Sequence, residues 1–399
     1  MIELHSPLYK KVTLGLGVSS FLIFCNLYYF QPLLPYFMGQ FNASEIEVNW
    51  LFSSTTLAVA FSLIPWAIIS EVYGRRPVML TSLLLIPFVN LLMFFSQELS
   101  HLILLRALLG VSLAGFIAVA VAYMAEELEP QALLVALGTY ISANSLGGIS
   151  GRIFGGVMTD VVGLKWTILS MSILSILALI FVFPLIIKQK NFVPQNTRFF
   201  HHNRQLLNHI RDPKIFIATI IGGLNFAILI STYTIMGFKL SAPPILLPAS
   251  ITSLIFLCYL GGTLSSQLSG LWNKHYSSLS GIFVGALVCF IALMVLFVES
   301  MFAIFIGLFL LSSGAFFIHS LAYGYVGKNV KQGKSTATAL YLVMYYSGSS
   351  IGGFVLIYCW QIGAWSLVFM VATITYLIMS ILNFSLVKQS QADMRACVN

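Results

Sequence analysis

The stretch LGGISGRIFGG, residues 146–156, sets five glycines around a single arginine, with no other charge in the run. In water each glycine would cost a helix about 1 kcal/mol against alanine. Inside a membrane the same residue lets two helix backbones touch. The run therefore predicts a transmembrane helix pressed closely against a neighbour. Arg152 is then a cation within an apolar helix, where it is expensive unless paired, wet or bound to an anion.

The rest of the chain agrees with a membrane reading. Of 399 residues, 59% are hydrophobic and 8% charged, where a soluble domain carries about 25% charged residues. A span needs roughly 20 apolar residues. Apolar runs near 12–38, 46–70, 78–96, 101–125, 132–157, 165–187, 215–238, 246–270, 279–298, 300–324, 335–359 and 364–387 predict twelve spans, hence an all-α polytopic membrane protein. Two lysines precede the first run and no small-residue cleavage site follows it, so the first helix is expected to be retained. The five cysteines form no CxxC pair, which points to neither a disulfide framework nor a zinc site. No metal or other cofactor is expected, and the absence of GxxxxGK[ST] argues against ATP-driven transport.

Positive loops stay cytoplasmic. With both termini inside, 16 of the 20 Lys and Arg residues fall in cytoplasmic segments; Arg106, Arg152, Lys165 and Lys239 are the remainder. The net charge of +8 is thus topogenic and calls for no nucleic acid. The most basic loop, 188–214, divides the chain into an N-terminal bundle, 1–187, and a C-terminal bundle with a short tail, 215–399. The linker is read as lying on anionic headgroups, its His201–His202 pair included.

The two halves repeat. A shift of 201 positions lays Tyr140 on Tyr341, Gly147 on Gly348 and Gly151 on Gly352, and carries EVYGRR, 71–76, onto WNKHYS, 272–277. Arg152 falls on Gly353, so the second half has no counterpart of it.

Several motifs together resemble the major facilitator superfamily, in particular its YnfM-type bacterial drug and metabolite exporters. Ala67, Glu71, Gly74, Arg75 and Arg76 match the GxxxDRxGRR loop except for its first glycine and first arginine. Arg106 and Gly110 match RxxxG in the fourth span. Gly138, Gly147, Gly151, Gly155 and Gly156 match every glycine of the antiporter pattern G(x8)G(x3)GP(x2)GG, with Arg152 in the proline position. The end of the first span adds QPLLP, residues 31–35. The resemblance implies the major facilitator fold, twelve helices in two six-helix halves, and secondary transport by rocking of the two bundles. It further implies Glu71, Gly74, Arg75 and Arg76 as a cytoplasmic gate motif and Arg106 in proton coupling. The five motif glycines would serve helix packing.

Charge placement refines this expectation. None of the 12 acidic residues falls at mid-membrane, whereas Arg106 and Arg152 lie at similar depth on consecutive helices. An anionic or zwitterionic substrate would suit Arg152. Asn26, Tyr29, Gln31, Asn144, Asn225, Tyr341 and Tyr345 are the expected companions in substrate binding or an outer gate, with Tyr28 beside them. His319, the one histidine within an expected span, and Glu127 are candidates for coupling beside Arg106. The expectation is a monomeric, proton-coupled exporter of a small organic molecule, a drug or metabolite, in the bacterial inner membrane, with lipid and protons as its other partners. An organic-anion importer or a siderophore exporter is the alternative. A transport-dead sensor or an intramembrane enzyme is disfavoured, because no set of His, Asp or Glu with ligand spacing occurs in the spans.

Overall fold

A computed structural model describes residues 1–192, 206–330 and 333–398, the backbone alone for 334, 335 and 392–398. Part of the expected linker, with Arg198, His201, His202 and Arg204, lies outside the described residues, as does Lys331. The chain is helical almost throughout. Helix α1 spans Pro7–Tyr28, a 3-10 turn Gln31–Leu33, α2 Leu34–Phe41, α3 Glu45–Tyr73, α4 Arg75–Phe94, α5 Leu99–Glu127, α6 Pro130–Val162 and α7 Leu164–Val182. Then follow α8 at Pro213–Ser241, α9 at Ala249–Thr252, a second 3-10 turn at Ser253–Cys258, α10 at Tyr259–His275, α11 at Ser278–Val295, α12 at Met301–Asn329 and α13 at Lys334–Val398.

Among the described residues, 11 helical segments are long and apolar enough to cross a membrane. The last, Thr336–Gln391, is 56 residues long, enough for two spans at 1.5 Å per residue. Gly363 and Ala364 leave helical geometry between them, Ala364 with a positive φ of 48°. Two expected spans are broken rather than continuous. The first stops at Tyr28 and resumes at Leu34, because Pro32 has no N–H to offer the Tyr28 carbonyl. The eighth passes through the 3-10 turn Ser253–Cys258. Several helices also start earlier than their apolar runs: α1 begins at Pro7, with the Ser6 hydroxyl accepting the Tyr9 N–H at 3.2 Å.

The chain forms two compact units. One contains residues 1–192 together with Gly237–Leu254; the other contains 206–236 and the residues from 255 onward. In the first unit α3 packs along α5, α1 along α6, and α4 against α5 and α7. In the second, α12 packs against α10 and α11.

Glycine decides how close α1 and α6 lie. A Cβ at Gly147 would fall on the Phe21 backbone, one at Gly151 would lie 2.5 Å from Cys25 Cα, and one at Gly155 would fall on the Tyr29 carbonyl. Gly156 instead faces Ala249 O, 2.5 Å from such a Cβ. Gly138 differs: it is exposed and a Cβ there would meet open space, so it makes no close helix contact. The second unit repeats the arrangement, with Gly348 against Gly223 and Gly352 against Ala227. The 201-residue offset visible in sequence is thus a repeated backbone contact.

Candidate functional site

The break after α1 gathers both buried arginines. A helix end leaves its last carbonyls without intrahelical partners and carries a partial negative charge. Arg106, fully buried in α5, fills that role: Nη1 donates to Asn26 O at 3.0 Å and Nη2 to Leu27 O at 2.9 Å. Its Nε donates to Leu51 O of α3 at 2.9 Å. The guanidinium also lies 4.7 Å from the Phe30 ring centroid and 5.6 Å from that of Tyr29. One side chain therefore ties α5 to the end of α1 and to α3.

Arg152, 2% exposed on α6, reaches the next residues of the same break. Its Nε donates to Gln31 Oε1 at 2.8 Å, and Nη1 donates back to Gly148 O at 2.9 Å. Its Cζ sits 3.8 Å from the centroid of Tyr28, a desolvated cation–π contact worth about 2 kcal/mol. A Cβ at Gly148 would stand 3.3 Å from Nη1, so the glycine before the arginine leaves room for the guanidinium to fold back. Gln31, the Gly148 carbonyl and Tyr28 are neutral groups.

Asn26 and Tyr29 belong to a buried polar knot. Asn90 Nδ2 donates to Asn26 Oδ1 at 2.6 Å, Tyr29 OH donates to Asn90 Oδ1 at 3.0 Å, and Asn26 Nδ2 donates to Ser175 Oγ at 3.2 Å. Asn90 and Ser175 were not legible as members, being single polar residues in apolar runs. Asn144 accepts a hydrogen bond from Ser20 Oγ, again between α6 and α1.

In the second unit, His319 Nδ1 and Tyr341 OH are 3.0 Å apart, and the His319 and Tyr345 rings lie 4.4 Å apart. Tyr345 stacks on Phe226 at 3.6 Å and 10°. Asn225, beside Phe226, donates its Nδ2 to Ala315 O at 2.8 Å, while its buried Oδ1 has no partner among the described residues. Three expected residues, His319, Tyr341 and Tyr345, thus form one aromatic cluster, joined by Phe226 and Tyr323.

The loop after α3 turns at Gly74, whose φ of 99° suits only glycine. Arg75 pairs with Glu126 at the end of α5, Nη2 to Oε1 at 2.9 Å, and donates to Ser70 Oγ at 2.5 Å. Glu71, from which sequence expected the motif's carboxylate, is not the partner in that pair. Arg76 Nε donates to Ile186 O at 2.7 Å. Glu127 accepts the Lys190 and Asn191 N–H groups at 2.8 and 3.0 Å, fastening the segment after α7. Among the described residues, no group of three or more His, Cys, Asp or Glu is placed to hold a metal ion.

Comparison with known proteins places this geometry. The model of the Major Facilitator Superfamily matches residues 16–353. The MFS-type transporter YybF of Bacillus subtilis is 30% identical over 352 residues, 88% of this chain and 87% of its own length. The inner membrane transport protein YnfM of Escherichia coli is 33% identical over 355 residues, 88% of this chain and 84% of its own. The multidrug resistance protein MdtG of Citrobacter koseri matches 48% of each chain at 29% identity. Among solved structures, a bacterial homologue of the human lysosomal transporter Spinster superposes with a TM-score of 0.72, covering 96% of this chain and 97% of its own at 14% identity.

Proposed function

This chain belongs to the major facilitator superfamily, and from that membership we propose that it is a proton-coupled exporter of a small organic anion or zwitterion. Its fold is that of an alternating-access transporter, a multi-pass membrane protein whose relatives are transporters rather than enzymes. The observation that supports the substrate class is Arg152: a guanidinium 2% exposed inside an apolar helix, set at the break after α1 beside the Gln31 amide, the Gly148 carbonyl and the Tyr28 ring. A carboxylate or phosphate presents two oxygens to such a group. Substrate binding would exchange Gln31 for the anion.

Coupling would run through His319, whose Tyr341 partner sits on α13, with Arg106 transmitting movement of the α1 break. Glu127 and the loop Glu71–Arg76 would act as the inner gate, and the two halves on either side of 188–214 as the moving bundles of a monomer with both termini cytoplasmic. MdtG is by name a multidrug resistance protein, which supports export over import.

The test is a thermal-stabilisation screen of small carboxylates and phosphates on the full-length protein and on Arg152→Ala, with Arg106→Lys as a control for general destabilisation. Stabilisation lost in Arg152→Ala alone supports the anchor, and equal stabilisation removes it. Coupling is read in vesicles as substrate-dependent proton movement, abolished by His319→Phe; movement unchanged in that variant removes His319 from the mechanism.

A further inference from the structure

The first unit carries a cavity of about 260 Å³ that none of the motifs touches. It lies where α2 and α4 end and α5 and α7 begin. Successive spans alternate in direction, so these ends share one face, opposite the Arg75–Arg76 loop. Its floor is apolar, with Met93, Leu102 and Ile168 each no more than 2% exposed. Its rim carries Gln40, Gln97 and Lys165.

The rim offers donors and one positive charge. Lys165 Nζ lies 4.9 Å from the Phe94 ring centroid and makes no ion pair among the described residues. The nearby carboxylate, Glu98, is engaged by Ser100 and His101 at 3.3 and 3.7 Å. Helix α7 opens at the cavity from Gly163, which supplies no side-chain cap, so its first-turn N–H groups add positive potential there. The height is that of lipid headgroups: Phe95 and Trp166, adjoining the rim, are 67% and 56% exposed, as aromatic residues of a membrane interface are.

We propose that this cavity is a binding site for the phosphate headgroup of an anionic phospholipid, with Lys165 as its counter-charge and the apolar floor receiving the first methylenes. A freely soluble anion would use Lys165 alike but gain nothing from the floor. The site is separate from the Arg152 region and does not depend on the transported substrate.

The test uses the full-length protein in detergent, with retained phosphatidylglycerol counted by native mass spectrometry. One tightly held phosphatidylglycerol is expected in the wild type and in Lys165→Arg, with about fivefold weaker retention in Lys165→Gln, the loss for one cation near a headgroup. Ser96→Trp, which fills the rim without touching the charge, should also lose it. Equal retention by wild type and Lys165→Gln would overturn the proposal, as would equal retention of phosphatidylcholine. Full displacement by inorganic phosphate would overturn the lipid as the occupant.

Discussion

Arg106 and Arg152 look equivalent in sequence, one cation per span, yet they bond to different kinds of group. Arg106 spends all three kinds of guanidinium nitrogen on backbone carbonyls. A lysine there is a point charge and cannot span three carbonyls on two helices. Arg106→Lys is therefore expected to destabilise the protein by about 3–5 kcal/mol, seen as a lower melting temperature in detergent; an unchanged transition would show that the tie holds nothing. Arg152 has side-chain partners, so Gln31→Leu should strip one hydrogen bond from it, costing about 1.5–3 kcal/mol. If Arg152 is the anchor, Gln31→Leu should retain anion binding that Arg152→Ala loses, as measured by ligand-induced shifts in melting temperature. The arginine positions were plain in sequence because charge in an apolar run stands out. The acceptors of Arg106 were not, since a carbonyl belongs to every residue and only the break in α1 exposes those of Asn26 and Leu27.

At the scale of helices, glycine spacing was legible and helix interruption was not. Hydropathy averages over the break after Tyr28, because Phe30, Leu33 and Leu34 keep the run apolar while the hydrogen-bond pattern changes beneath it. The salt bridge from Arg75 had no named partner in the sequence, because Glu126 is 51 positions away and meets it only through the packing of α4 on α5. The glycines divide into two kinds. Gly151→Leu must part α1 from α6, because its Cβ alone would lie 2.5 Å from Cys25 Cα; a loss of several kcal/mol, about that of a severe overpacking change, is expected. Gly138→Ala meets open space and should stabilise by about 0.5–1 kcal/mol through helix propensity. Comparing the two melting temperatures checks both, and a Gly151→Leu protein as stable as the wild type would refute the close contact.

For the whole molecule, the distribution of basic residues predicts an orientation that cysteine labelling can read. A cysteine placed at Lys274 should react only after membrane permeabilisation, and one at Gln97 should react in intact cells; the reverse pattern would invert the topology. The repeat was legible from three aligned positions and is present as matching contacts, Gly151 on Cys25 and Gly352 on Ala227. What differs between the halves is the arginine, and that difference bears on how the chain is made. An arginine within a span is disfavoured at insertion, by up to about 2.5–3.5 kcal/mol at the helix centre. Both cations are synthesised after α1, so the carbonyls of Asn26 and Leu27 and the side chains of Tyr28 and Gln31 are already in the membrane when α5 and α6 arrive. The order of translation thus delivers acceptors before donors, and moving α1 to the end of the chain by circular permutation would leave two ribosome-fresh guanidinium groups waiting in lipid.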